Sequence, residues 1–252
     1  MTIRESIQKQ KESIKNRSLK ERISYFWEYY AIKSFAALLA LITVIAFLVS
    51  MATQKDYAFT GMFFGVATDS ASEAYLSAFA EAAGIDTEKY LLTVQTGPEV
   101  YMDQQISPEI YQSMEAFTAM VSAQSVDCFA GNEEIFLYYA YLGYAEDLRD
   151  VLSSEELSRL SADLYYIDLQ LIRDQDNSDG GYADAYMQHP DPTKPELMKD
   201  PVPVAVSLKA ASQDFLSAYR FSGTSLLGIC KSSAYQENAV FFLRYALSGS
   251  AE

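Results

Sequence analysis

The pattern of apolar positions changes character along the chain, and its first feature is a continuous apolar run. Residues 34–52 are nineteen consecutive positions without a charge, a proline or a glycine. As a helix, this run would span roughly 28 Å at about 1.5 Å per residue, close to the ~30 Å hydrocarbon core of a bilayer. The pattern predicts a transmembrane helix over residues 31–52, with the lipid bilayer as its partner.

Beyond this run, short apolar segments alternate with segments whose apolar positions recur about every 3.6 residues. The short segments predict strands, at 57–66, 90–96, 126–130, 202–208 and 224–230. The first three strands alternate with helices, and this order specifies parallel strands joined by right-handed crossovers. We therefore expect residues 53–252 to form a three-layer α/β domain with a mostly parallel sheet.

Polar residues mark the starts of several predicted helices. Ser70–Glu73, Ser153–Glu156 and Ser233–Gln236 each match the capping-box spacing, in which two side chains satisfy each other's backbone N–H groups. Asn132 follows the third predicted strand and can cap the next helix. These caps predict where the helices of the outer domain begin.

Charge divides the chain into unlike parts. The whole sequence carries a formal charge of −15. Residues 1–33 hold eight Lys/Arg and four Glu, net +4, whereas residues 53–252 carry −19. By the positive-inside rule, residues 1–30 form a basic juxtamembrane helix in the cytoplasm, and residues 53–252 lie outside the cell membrane. The acidic balance argues against nucleic acid as a partner.

Two other interpretations of the apolar run compete with a single-pass anchor. Ser50-Met51-Ala52 resembles a signal-peptidase site, but the preceding segment and the run are long for a cleaved signal peptide. A buried core helix of this length would normally carry a polar face. Cleavage would leave the outer domain in the same compartment.

The chain contains few residues suited to catalysis. It has one histidine, His189, and two cysteines, and it lacks the HExxH, GxSxG, Walker and CxxC patterns. We expect a non-enzymatic protein without a cofactor. Residues 174–201 form a long acidic loop whose start, with Asp174, Asp176 and Asp179, resembles a calcium loop. Its register departs from the EF-hand pattern, and a solvated acidic turn is the alternative.

Two segments resemble extracellular solute-binding proteins of type II, the maltodextrin-binding kind. FSGTSLLGICKSSAYQENAVFFLRYAL is similar to their closing hinge strand and helix, with the A-x-x-F-L pattern at Ala239, Phe242 and Leu243. SVDCFAGNEEIFLYYAYLGYAEDL is similar to a strand that begins with Asp and a helix that runs to G-x-x-x-D-L, at Asp127, Gly143, Asp147 and Leu148. PVPVAVSL resembles the strand that crosses to the second lobe.

This resemblance implies one lobe of a type II periplasmic-binding fold. The family has a whole lobe between the crossing strand and the hinge strand, where this chain has fifteen residues. The second lobe is therefore largely missing. The family's sheet order would also place the Cys128 strand beside the Cys230 strand, which makes a disulfide between them a candidate alongside two buried thiols.

In open α/β sheets, ligands bind beyond the carboxyl ends of the strands. Here those ends carry the candidate ligand-binding residues Thr68, Asp69, Ser70, Gly131, Asn132 and Glu133. Helix capping alone would also explain Ser70 and Asn132. We expect a membrane-anchored, extracytoplasmic, solute-binding-like protein, an accessory to a transporter. The alternative is a non-catalytic envelope module that binds a protein partner instead of a small-molecule solute.

Overall fold

The computed structural model describes residues 20, 24, 27, 31–53, 55–102, 107–176 and 182–249. The chain divides into two units, residues 1–54 and residues 55–252. The first unit contains helix α1 (Ala31–Thr53), and its side chains are exposed throughout Ile32–Met51. This segment is long and apolar enough to cross a membrane, as the sequence predicts. The remainder of the basic segment 1–30 lies outside the described residues.

The second unit alternates strands and helices. Its strands are β1 (Asp56–Phe64), β2 (Tyr90–Gly97), β3 (Cys128–Asn132), β4 (Leu164–Asp168), β5 (Pro201–Ser207) and β6 (Ser225–Ile229). Its α-helices are α2 (Ser70–Ala82), α3 (Pro108–Ser122), α4 (Glu133–Tyr141), α5 (Leu148–Val151), α6 (Ser154–Arg159), α7 (Leu169–Asp176), α8 (Tyr182–Met187), α9 (Gln213–Ala218) and α10 (Gln236–Ser248). Single 3₁₀ turns occupy Pro195–Leu197 and Leu208–Ala210. The acidic segment 174–201 therefore contains helical turns.

The six strands form one mixed sheet in the order β2-β1-β3-β6-β5-β4. β1 pairs in parallel with β2 and with β3, as the β-α-β-α-β order predicts. The three remaining pairings, β3–β6, β6–β5 and β5–β4, are antiparallel. The expectation of a mostly parallel sheet was therefore wrong for the second half of the domain.

The antiparallel pairing of β4 with β5 is seen in the hydrogen bonds at the two ends of this pair, because the connection from β4 to β5 returns at the end of the sheet where it leaves. The backbone carbonyl of Asp163, just before β4, accepts a hydrogen bond at 2.8 Å from the amide of Ser207, the last residue of β5. At the opposite edge, the Asp168 carboxylate accepts from the amides of Lys199 and Asp200 at 2.9 and 3.0 Å, so β5 starts where β4 ends. Strands joined in this way must run in opposite directions.

Helices cover both faces of the sheet, giving three layers. Side chains of β1 alternate between the two faces: Phe59 and Phe63 enter one core, and Met62 and Phe64 enter the other. The first core also receives buried side chains of α2, α9 and α10. The second receives those of α3, α4 and α8. We call these the α10 face and the α4 face.

The cysteine strands are neighbours, but the cysteines are not bonded. Cys128 of β3 is paired in register with Ile229 of β6, one position before Cys230. Because successive side chains of a strand point to opposite faces, Cys128 lies in the core of the α10 face and Cys230 in the core of the α4 face. Both thiols are free and buried, and burial raises their pKa values. The candidate disulfide is therefore not formed.

Two of the four predicted caps are confirmed. Ser153 and Glu156 form the expected capping box at α6, and Asn132 caps α4. At α2 the cap is Asp69, one residue earlier than predicted, in a reciprocal arrangement with Ser72. Ser233 does not cap α10, which begins only at Gln236: its hydroxyl accepts from the Tyr235 amide at 3.1 Å in the preceding turn and donates to Asp127.

Candidate functional site

The carboxyl ends of β1 and β3 form the crevice that the sequence predicts as a binding edge. The two strands are adjacent, with Phe63 paired to Ala130 near their ends. The helices that follow them pack on opposite faces, α2 on the α10 face and α4 on the α4 face. A sheet edge at which successive helices diverge in this way is the usual ligand position in open α/β sheets.

Thr68, Asp69 and Ser70 lie exposed on the β1 side of this crevice. Asp69 Oδ1 accepts hydrogen bonds from the amides of Ala71 and Ser72 at 2.9 and 3.3 Å, which caps α2. Its other oxygen, Oδ2, accepts from Arg220 Nη2 at 2.7 Å. Both carboxylate oxygens of Asp69 are therefore used within the chain.

Gly131, Asn132 and Glu133 form the β3 side. A Cβ atom on Gly131 would approach Ile135 Cγ2 to 2.7 Å, so the close start of α4 requires glycine there. Asn132 Oδ1 accepts from the Ile135 amide at 3.0 Å, and its Nδ2 donates to the Val100 carbonyl at 2.6 Å. Asn132 therefore joins β3 to the segment that follows β2.

Residues 220–224, which we call the strap, lie across the crevice ahead of β6. Arg220 binds Asp69 after β1, and Ser222 Oγ donates to Glu99 Oε1 after β2 at 2.5 Å. Tyr101 also donates to Glu99 Oε1, at 2.7 Å. Phe221 is half-buried, with its ring 5.7 Å from that of Phe63. The strap thus joins the start of β6 to the ends of β1 and β2.

Sequence reasoning missed Arg220, Ser222 and Glu99. One signal was available, because Arg220 is the only basic residue between Lys209 and Lys231. Its partner, 151 residues away, could not be inferred from local pattern.

The crevice is acidic, and its carboxylates already accept hydrogen bonds from other residues of the chain. Besides Asp69 and Glu99, it contains Glu133 and Glu134. Glu134 Oε2 accepts from the Met102 amide at 2.7 Å. Glu133 lies by the Tyr165 hydroxyl, whose pKa is raised first by burial and then by this carboxylate. The arrangement brings the six predicted residues to one edge of the sheet, with Asp69 and Asn132 committed to partners within the chain.

A second polar cluster lies at the opposite, amino edge and centres on Asp127. This carboxylate is 3% exposed, and it accepts from the Thr60 amide at 2.7 Å and from Ser233 Oγ at 2.6 Å. Burial raises its pKa, and these hydrogen bonds partly oppose the rise. Asp127 lines a cavity of about 410 Å³ together with Asp56, Gln95 and Gln124. It joins β1, β3 and the turn after β6, which is a structural role.

The calcium prediction at the acidic segment stays a prediction. Asp174 lies in α7, and its carboxylate accepts from Gln170 Nε2 at 2.7 Å. Asp176 is the last residue of α7, and Asp179 lies outside the described residues. Within the described part of the chain, no three His, Cys, Asp or Glu side chains are grouped to hold a metal ion.

Comparison with known proteins adds no family to this picture. No protein-family model matches the chain, and neither does any curated protein or solved structure. The α/β fold by itself is common to many functions, so the likeness to type II solute-binding proteins remains an expectation.

Proposed function

We propose that this protein is a membrane-anchored, extracytoplasmic, non-catalytic module that binds a protein partner. The observation that carries the proposal is the strap, in which Arg220–Asp69 and Ser222–Glu99 contacts occupy the edge where a solute would bind. A solute would have to displace these contacts, and the chain has few residues that could close over it as a second lobe. A large partner needs no such enclosure.

The anchor supports the proposed location. Helix α1 is long and apolar enough to span a bilayer, and by the positive-inside rule the basic segment 1–30 favours a cytoplasmic N terminus. The acidic domain over residues 53–252 would then face outward, where it can meet other envelope proteins.

Capture of a solute is the second candidate, and the convergence of Asp69 and Asn132 at the crevice favours it. In this case the strap must open, since Arg220 holds Asp69 in the closed arrangement. Opening would release a carboxylate and a guanidinium, a pair suited to a small zwitterionic solute.

The two functions are separated by testing the full chain in lipid nanodiscs and in cells. In nanodiscs, thermal unfolding is followed with panels of sugars, amino acids and short peptides, for the wild type and for Arg220→Ala. In cells, a photo-crosslinking amino acid is placed at exposed positions of the outer domain. Discrete crosslinks to one protein, with no stabilisation by any solute, are expected. Stabilisation by a solute that depends on Arg220, without protein crosslinks, would overturn the proposal.

A further inference from the structure

Strand β2 forms one end of the sheet and leaves one side open. In the part of the chain that the structure describes, it pairs only with β1. Its eight residues, YLLTVQTG, include no charge and no proline, the two features that most often protect an edge strand. Tyr90 and Leu91 are each 39% exposed. The strand therefore presents unpaired backbone groups beside exposed apolar side chains.

A groove runs beside this edge, between β2 and helix α2. It encloses about 260 Å³ and is lined by Glu73, Leu76, Ser77, Ala80, Thr87, Tyr90, Leu91 and Leu92. The four α2 residues are spaced three, one and three apart, so they lie on one side of the helix. Because Ser77 and Ala80 are small, the groove has room for a side chain that enters over Leu76 and Leu92.

The charge of the groove indicates which side chains suit it. Glu73 is its only charged lining residue, is exposed, and forms no ion pair with any described residue. The two nearest cations along the chain are already engaged: Lys89 pairs with Asp86 at 2.9 Å, and Lys55 Nζ donates to the Thr87 carbonyl at 2.7 Å. An unpaired carboxylate beside an apolar surface favours a ligand with both apolar and cationic side chains.

We propose that the β2 edge binds an extended segment of a partner protein, which adds to the sheet as a seventh strand. Backbone hydrogen bonds to β2 hold the segment, an apolar side chain enters the groove over Leu76, and a Lys or Arg pairs with Glu73. This inference rests on the proposed function, because it names the part of the surface that the protein partner uses.

Charge favours such a segment over a second copy of this chain. If two β2 strands paired with each other, the incoming strand Tyr90–Gly97 would bring no cation to Glu73. To supply one, Lys89 would have to leave Asp86, or Lys55 would have to leave the Thr87 carbonyl. A partner with its own Lys or Arg meets no such competition.

The test uses the full chain in nanodiscs and blocked octapeptides labelled with a fluorophore. One peptide has Ser at every second position and alternating Val and Lys at the positions between, so that Val and Lys lie on the same face of a strand; we call it the Val-Lys peptide. The Val-Glu peptide has Glu in place of each Lys. Two further forms of the Val-Lys peptide carry N-methyl groups, either on every Ser or on every Val and Lys. In a strand these two sets of amides point to opposite edges, so each removes the donors of one edge only. Binding is measured by fluorescence anisotropy.

We expect saturable binding of the Val-Lys peptide and at least about tenfold weaker binding of the Val-Glu peptide. One N-methylated peptide should bind at least about tenfold more weakly than the unmethylated form, and the other should bind with unchanged affinity. Equal binding of both methylated forms would mean simple charge attraction and would overturn the proposal. Absence of saturable binding would overturn it as well.

Matched variants locate the site. Glu73→Gln should lower the affinity for the Val-Lys peptide about threefold. Glu109 is an exposed carboxylate in the first turn of α3, and Glu109→Gln should leave this affinity unchanged. Equal effects of the two variants would exclude the groove. If the chain instead forms a dimer that Leu91→Arg dissociates, the edge is a self-interface and the proposal is wrong.

The proposed function can fail separately. Crosslinks to a protein from positions far from β2, with no strand-like peptide binding, would leave the function standing and remove this site. Strand-like peptide binding without any protein crosslink in cells would support this site and contradict the proposed function.

Discussion

Arg220 and Asp69 are separated by 151 residues, and their Nη2 and Oδ2 atoms lie 2.7 Å apart. The pair joins the segment before β6 to the cap of helix α2, across the carboxyl end of β3. The pair lies at the predicted binding edge, because Asp69 is one of the candidate ligand-binding residues. It is also partly solvated, with side-chain exposures of 71% and 42%, so it should be easily broken.

Arg220→Ala should open the strap without unfolding the domain. We expect a loss in unfolding free energy below about 1 kcal/mol, because exposed ion pairs contribute little. Amide hydrogen exchange in residues 220–225 should become faster. Lys89→Ala breaks another exposed pair, with Asp86, and serves as the control. Unchanged exchange at the strap in Arg220→Ala would show that Ser222 and Phe221 are sufficient to hold it.

Asp127 should make the domain less stable as pH rises. Burial raises its folded pKa above the unfolded value, so its contribution is full below the unfolded pKa, near 4, and is lost as pH rises through the folded pKa. Asp127→Asn should flatten this pH dependence, because an amide does not titrate. The hydrogen bond to Ser233 can be kept, since the hydroxyl can turn to accept from the Asn amide. Asp127→Ala should cost about 2 kcal/mol because it leaves the buried Thr60 amide unpaired. Urea unfolding from pH 3 to 8 measures both effects.

The Glu156–Arg244 pair should act in the opposite direction. Arg244 donates to both carboxylate oxygens, at 2.6 and 3.2 Å, and lowers the Glu156 pKa to about 2. Its stabilisation is therefore present above the unfolded pKa, near 4.5, and is lost as pH falls towards 2.

Glu156→Gln should cost about 1–2 kcal/mol at pH 7 and almost nothing at pH 2. Glu155→Gln, an exposed neighbour in the same first turn, is the control and should change little. The same urea titration measures both variants, and a cost for Glu156→Gln that does not vary with pH would contradict the assignment.

Two buried tyrosines should be replaceable with a gain in stability. The hydroxyls of Tyr75 and Tyr219 are buried without a hydrogen-bond partner among the described residues. Because an unpaired buried hydroxyl is costly, Tyr75→Phe and Tyr219→Phe should each raise the unfolding free energy by about 1 kcal/mol. Tyr139→Phe removes a hydroxyl that donates to the Met114 carbonyl at 3.3 Å and should lower it instead. A lower unfolding free energy in all three variants would indicate that bound water pairs with the hydroxyls of Tyr75 and Tyr219.

Labelling of introduced cysteines tests the proposed orientation. Both native cysteines are 0% exposed and should not react in the folded protein. Ser158→Cys, at an exposed position of α6, should react with a membrane-impermeant maleimide in intact cells. Ser13→Cys, in the basic N-terminal segment, should react only after the cells are lysed. The reverse pattern would place the acidic domain in the cytoplasm.

Features set by neighbouring residues were predictable. The strands and helices up to α4 follow from apolar periodicity, and the Asn132 and Ser153 caps follow from side chains that reach amides two or three residues away. At α2, Asp69 rather than Ser70 is the cap, with Ser72 as its reciprocal partner. The further contact of Asp69 with Arg220 lies outside any local window.

Ser233 shows the limit of a local motif. Its spacing to Gln236 matches a capping box, yet α10 begins only at Gln236, and the Ser233 hydroxyl accepts from the Tyr235 amide at 3.1 Å while it donates to Asp127 at 2.6 Å. A buried carboxylate needs donors, and Ser233 supplies one from the turn before the helix. The burial of Asp127 arises from the packing of β1, β3 and the turn after β6, which no short segment encodes.

The sequence by itself determined the split between an apolar, membrane-length helix and an acidic α/β domain, because charge and apolar periodicity are local properties. Only the tertiary structure decided that β6 lies antiparallel between β3 and β5, that Cys128 and Cys230 face opposite cores, and that Arg220 pairs with Asp69. Each of these depends on which distant segments become neighbours and on which face a side chain then lies. The free energy that selects such neighbours is shared across the whole core, so no single segment carries it.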